Sequence, residues 1–97
     1  MRTSDEIKEI LLSHLEFIRK DYHVKQIGIF GSYVSGNANE NSDVDILVEF
    51  SKPIGLIEYI KLEEYLEEKI GLKVDLVLKD GIKPGLREII IEQVVYV

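Results

Sequence analysis

With 97 residues, 45% of them hydrophobic, and a net charge of −6, the chain is sized for one globular domain with an adequate core, expected over 1–97. The acidic balance argues against a nonspecific grip on DNA or RNA, which needs a basic face, and favours a basic partner or none in particular. No cysteine excludes disulfide and thiolate chemistry, and neither a signal peptide nor an apolar run of transmembrane length is visible, so the expected compartment is the cytoplasm with no membrane association.

The first element reads as a helix. Thr3 and Glu6 have capping-box spacing, and Ile7, Leu11 and Ile18 fall on one face with Ile10 and Leu15 beside it. His14 lies near this stripe and reads as a boundary histidine rather than a base, since no carboxylate or ligand spacing accompanies it. His23 falls in a polar turn. Val24 to Phe30 is expected as a buried strand, and Ser32 to Gly36 as one or two helical turns ended by Gly36. A loop rich in Asn leads to a second strand, Val44 to Phe50, broken by Ser51-Lys52-Pro53.

Gly55 opens a second amphipathic helix, with Tyr59, Leu62, Leu66 and Ile70 at helical spacing and Gly71 as its stop. Its acidic residues Glu63, Glu64, Glu67 and Glu68 read as a solvated face. Leu72 to Leu78 alternates as a third strand, with Lys73, Asp75 and Val77 on one side. Leu86 to about Gln93 is expected to be helical, and the apolar tail Val94 to Val97 either a last strand or a docking end. The order α, β, short α, β, α, β, α gives an α/β (α+β) fold, a single sheet of at least three strands with helices packed on it.

The chemistry concentrates between Phe30 and Asp45. Gly31 lets the backbone turn and lets a ligand approach it, and Ser32 opens a helix whose N–H groups face anions. Asp43 and Asp45 alternate at a strand start and so point the same way. Taken singly, Gly-Ser after a strand is an ordinary turn, and Asp-x-Asp is a solvated edge or cap. Together, with ten residues between Ser32 and Asp43, they form a phosphate cradle beside paired carboxylates. Asp75 inside an apolar strand is either a third metal carboxylate beside that pair or an edge residue with a path to solvent.

Gly31-Ser32, ten residues, then Asp43-Val44-Asp45 resembles the signature of the nucleotidyltransferase superfamily that includes DNA polymerase beta and kanamycin nucleotidyltransferase. The short chain is similar to the minimal nucleotidyltransferases that act as antitoxins in HEPN toxin–antitoxin pairs. The resemblance implies the nucleotidyltransferase fold, a mixed sheet with one antiparallel neighbour. It also implies a site in which Asp43, Asp45 and Asp75 hold two Mg²⁺ ions, with Mn²⁺ an alternative. Hard oxygen ligands suit these ions, and cations relieve the mutual repulsion that raises the proton affinity of crowded carboxylates. Gly31 and Ser32 would then hold the phosphates of ATP, and Asp75 would help deprotonate the acceptor hydroxyl.

One position departs from the resembling pattern. Ser35 stands in Gly31-Ser32-Tyr33-Val34-Ser35-Gly36 where many relatives carry an arginine, which removes a candidate phosphate or acceptor contact. The chain has no substrate domain, so the acceptor surface is expected from another polypeptide. The resemblance implies an all-helical HEPN-type ribonuclease, adenylylated on a tyrosine with no direct nucleic-acid contact, and leaves homo- and hetero-oligomers open. Two other readings stand beside this one. One is a binding module that neutralises its partner by docking alone; the other is a free-standing transferase for a small hydroxylated molecule.

Overall fold

The capping box at Thr3 forms, and it sets the start of the first helix. The computed structural model describes residues 2–97. Thr3 N–H donates to Glu6 Oε1 at 3.0 Å and Glu6 N–H to Thr3 Oγ1 at 3.2 Å, opening α1 over Ser4–Asp21. There follow β1 (Val24–Phe30), α2 (Ser32–Ser35), β2 (Val44–Phe50) and α3 (Leu56–Ile70). The chain closes with β3 (Val74–Leu78), a 3-10 turn (Lys79–Gly81), α4 (Pro84–Gln93) and β4 (Val95–Tyr96). Gly71 ends α3 at φ 78°, a left-handed conformation that few side chains tolerate.

The sheet has four strands in the order β3-β2-β1-β4. It is mixed, as expected: β1 runs antiparallel to β2 and to β4, while β2 and β3 are parallel. The register places Ile27 opposite Val48, Ile29 opposite Ile46, and Ile46 opposite Leu76. These side chains therefore share one face, because alternate residues of a strand point the same way. Ile7, Leu11 and Ile18 of α1 and Leu62, Leu66 and Ile70 of α3 close the core over that face. Each fully buried aliphatic side chain here contributes about 1.5–3 kcal/mol relative to exposure.

The other face carries Gly28, Leu47 and Val77 in one row and Phe30, Asp45 and Asp75 in the next. It is this second face that holds the carboxylates.

Two boundaries differ from the expectations, and the tail takes one of the two forms expected of it. β3 begins at Val74 rather than Leu72, because Leu72 and Lys73 complete the turn out of α3. α4 begins two residues early, at Pro84, whose fixed φ suits a first helical position. The tail becomes a strand: Tyr96 pairs with Gly28 and Val95 with Ile29. Gly28 makes that close approach practicable, since a Cβ there would lie 2.9 Å from the carbonyl oxygen of Val95.

Candidate active site

The end of β1 and the starts of β2 and β3 meet in one line. Phe30 is opposite Asp45, and Asp45 is opposite Asp75 in the parallel pair. Gly31 follows Phe30 at φ 76° and turns the chain into α2. It sits hard against Asp45, for a Cβ on Gly31 would overlap Oδ2 of that residue and stand 2.9 Å from its Cγ. The first turn of α2 has no side-chain cap, while Val34 and Ser35 N–H donate to the Gly31 carbonyl at 3.1 and 3.0 Å. The N–H groups of Ser32 and Tyr33 precede these bonds, at the end of the short helix nearest Asp45.

The Asn-rich loop that joins α2 to β2 is held by its own side chains. Asn39 N–H donates to Ser42 Oγ at 2.9 Å, Ser42 N–H to the Asn39 carbonyl at 3.0 Å, and Asn41 N–H to Asn39 Oδ1 at 2.8 Å. That local network delivers Asp43, exposed, to the start of β2, with Asp45 two residues on and partly buried.

Asp45 is the perturbed carboxylate. Burial, then the charges of Asp75 and Asp43 and a hydrogen bond with Asp75, raise it from 3.8 to about 6. Asp75 itself is exposed on the edge strand β3, the second of its two expected placements, and the partly buried member of the pair is Asp45. No cation answers this cluster: among the described residues the ion pairs are Arg2–Glu6, Lys69–Glu68, Lys79–Glu49 and Arg87–Asp80. Neither is it a closed cage, for among the described residues no three such side chains converge as a preformed metal set. The donors nonetheless fit a hard divalent cation in kind. They are carboxylate oxygens, mutually repelling and uncompensated.

Ser35 is exposed, its hydroxyl donating to the Ser32 carbonyl at 3.3 Å and accepting from Asn37 Nδ2 at 3.2 Å, within the loop. His14 is half-buried, with Nδ1 3.0 Å from the Tyr65 hydroxyl, which is a packing role. His23 takes φ 57° in the α1–β1 turn, and its carbonyl accepts from Ser51 N–H at 2.8 Å.

The acidic face of α3 corrects an expectation. Glu63 and Glu67 are half-buried, not solvated: Glu67 Oε2 accepts from Val74 N–H at 2.9 Å, and Glu63 Oε2 from Leu76 N–H at 3.1 Å. The Tyr59 hydroxyl donates to the Leu76 carbonyl. Burial, with the charges of Glu63 and Asp75, holds that phenol above its usual range. The signal for these contacts was the four-residue spacing of Tyr59, Glu63 and Glu67, which coincides with the apolar ridge and so passed as amphipathicity.

The family model for the nucleotidyltransferase domain matches residues 8–97. A protein of Thermococcus cleftensis named protein adenylyltransferase MntA is 50% identical over 97 residues, covering all of this chain and 98% of its own. A solved structure assigned by its name to the minimal nucleotidyltransferases superposes with a TM-score of 0.83 at 28% identity, over 97% of this chain and 95% of that one. A further solved structure, an MNT antitoxin in complex with the tri-AMPylated Shewanella oneidensis HEPN toxin, shares the fold at a TM-score of 0.67 and 22% identity. It covers 93% of this chain and 70% of its own. No described helix is long and apolar enough to cross a membrane. With the family model matched almost end to end and the Gly31 turn beside the Asp45–Asp75 pair, the chain belongs to the nucleotidyltransferase domain family, among its minimal members.

Proposed function

We propose that the chain is a protein adenylyltransferase antitoxin that moves AMP from ATP to a tyrosine hydroxyl of a HEPN-type, all-helical ribonuclease. The observation that carries this reading is the row of Phe30, Asp45 and Asp75 across β1, β2 and β3, with the Gly31 turn that follows Phe30 packed against Asp45. It puts a phosphate-approachable backbone turn directly beside a carboxylate cluster without counter-charge. Half identity with a protein adenylyltransferase over the full chain supports the reaction type. The MNT–HEPN complex suggests the partner class.

Asp43, Asp45 and Asp75 would hold Mg²⁺, or Mn²⁺, in two sites, and the bound cations would neutralise charge on the triphosphate and activate the attacking oxygen. Gly31 and Ser32 offer main-chain N–H groups to the β- and γ-phosphates. Asp75, the exposed member of the line, accepts the proton of the acceptor hydroxyl. The tyrosine oxygen then bonds to the α-phosphorus as its bond to the oxygen bridging to the β-phosphate breaks, and pyrophosphate leaves. The acceptor hydroxyl and the surface that holds it would come from the partner. The reaction would run in the cytoplasm, where ATP and a ribonuclease toxin meet.

The test is to incubate both proteins with ATP and Mg²⁺ and take intact masses. The partner should gain mass in steps of AMP, and should gain none with Asp43→Asn. Docking without chemistry is a second reading, motivated by Ser35, whose hydroxyl is turned into its own loop where a cation is expected. A partner that is inhibited yet unmodified would establish that reading instead.

A further inference from the structure

β3 is the outermost strand, and one of its edges has no strand beside it. In a β-strand the N–H and C=O of one residue point to one side and those of the next to the other. Lys73 faces β2, since its carbonyl accepts from Val44 N–H at 2.8 Å. Asp75 therefore faces β2 as well, and Val74 and Leu76 present their main-chain groups to the open edge. An open edge of this kind leaves polar groups unpaired and lets the strand shift or recruit another chain.

Here the edge is closed by a helix. Glu67 takes the N–H of Val74 at 2.9 Å, Glu63 takes the N–H of Leu76 at 3.1 Å, and the Tyr59 hydroxyl donates to the carbonyl of Leu76. The three side chains are spaced by four residues along α3, so they form one ridge parallel to the strand. They meet three of the four main-chain groups at Val74 and Leu76 that a fifth strand would pair. The residues they grip are the two neighbours of Asp75.

We propose that Tyr59, Glu63 and Glu67 are positioning residues for Asp75: α3 clamps β3 on both sides of it and so fixes the place where its carboxylate stands beside Asp45. This rests on the proposed role of Asp75 in transfer. None of the three touches the reacting atoms, and they act through the strand. In-line transfer is sensitive to small displacements of a carboxylate, and misplacement by about 1 Å can cost roughly a hundredfold. The Glu63–Leu76 bond is the one to remove, since Glu63 is half-buried and its loss leaves the core residues Leu62 and Leu66 untouched.

The experiment compares Glu63→Ala, Glu63→Gln and Tyr59→Phe with the wild type in AMP transfer, and follows amide hydrogen exchange at Val74 and Leu76. Glu63→Ala should speed exchange at Leu76 by tenfold or more and lower kcat by tenfold or more, with KM for ATP changed less than threefold. Glu63→Gln keeps an oxygen acceptor and should recover most of both losses. Tyr59→Phe deletes one hydroxyl, keeps the ring, and should show a smaller fall in kcat. Unchanged exchange in Glu63→Ala would overturn the clamp. Faster exchange with wild-type kcat would overturn the positioning role and leave a purely structural edge guard. A wild-type protein that transfers no AMP would overturn the functional reading, and this one with it, before any variant is compared.

Discussion

The carboxylate of Asp45 occupies the space in which a side chain on Gly31 would begin. Gly31 follows the last residue of β1 and Asp45 lies in β2, and the Phe30–Asp45 pair brings them together. Glycine is thus required twice at position 31, for its φ of 76° and for the carboxylate. Gly31→Ala should destabilise by about 1–3 kcal/mol, the usual cost of a strained backbone position, before the overlap is counted. A fall in melting temperature of at least about 4 °C follows for a domain of this size. The double variant Gly31→Ala/Asp45→Ala removes the overlap but not the strain, so its loss should be smaller than the sum of the single ones. Additive losses in thermal melts would show that the two residues are independent.

Asp45 makes a pH prediction whose sign is fixed. Its carboxyl is raised from 3.8 to about 6 in the folded state. Between those values the folded chain holds more protons at this site than the unfolded chain. Stability contributed by Asp45 is therefore lost as pH rises through that window, and the ionised form is a cost at neutral pH. Asp45→Asn removes the charge. Without divalent cations it should melt a few degrees above wild type at pH 7, the shift being discounted because the group is partly exposed. The gap should close toward pH 4. A gap that is constant with pH would show that Asp45 is not the perturbed group.

A cation with ATP should reverse that ordering, because a ligand bound only by the folded state stabilises it by mass action. Mg²⁺ with ATP should raise the melting temperature of the wild type at pH 7, and less so below pH 6, where protons compete for Asp45. The Asp43→Asn/Asp45→Asn variant should lose the metal-dependent part. A full shift retained in that variant would move the metal elsewhere.

The elements that position the site could be read from local signals. Capping residues, glycine stops and alternation act over a few residues, and β1 and β2 fall where those signals put them, at Val24–Phe30 and Val44–Phe50. The Gly31-Ser32 and Asp43-Val44-Asp45 spacing likewise foretold that a turn and a carboxylate would meet. What the chain does not announce is which strand becomes an edge. That depends on the order β3-β2-β1-β4, a property of long-range pairing. For that reason the sequence leaves Asp75 open between an interior carboxylate and an edge residue, of which the exposed edge position is the one observed, and it presents Glu63 and Glu67 as solvated when they serve an edge strand.

Asp75 separates binding from chemistry. If it accepts the acceptor proton, Asp75→Asn should keep most of the ATP-dependent rise in melting temperature while transfer falls by about a hundredfold or more. An amide keeps the size of the side chain but cannot take the proton. Equal loss of ATP binding and of transfer would make Asp75 a ligand for the nucleotide complex and no base. Wild-type transfer by the variant would remove it from the site.

The glutamates of α3 should also keep β3 from pairing with other chains. Their carboxylates fill the main-chain positions that a foreign strand would use, at Val74 and Leu76. Glu63→Ala/Glu67→Ala frees two N–H groups on an edge whose core-facing side is apolar, and should sediment as larger species than wild type at equal concentration. Loss of two negative charges could by itself promote association in an acidic protein. Glu64→Ala/Glu68→Ala provides the control: it removes the same charge from exposed neighbours on the same helix that make no bond to β3. Association confined to the first variant, and reversed when glutamine replaces alanine at both positions, would assign the effect to the open edge. Equal association in both variants would assign it to charge, and the edge of β3 would then need no guard.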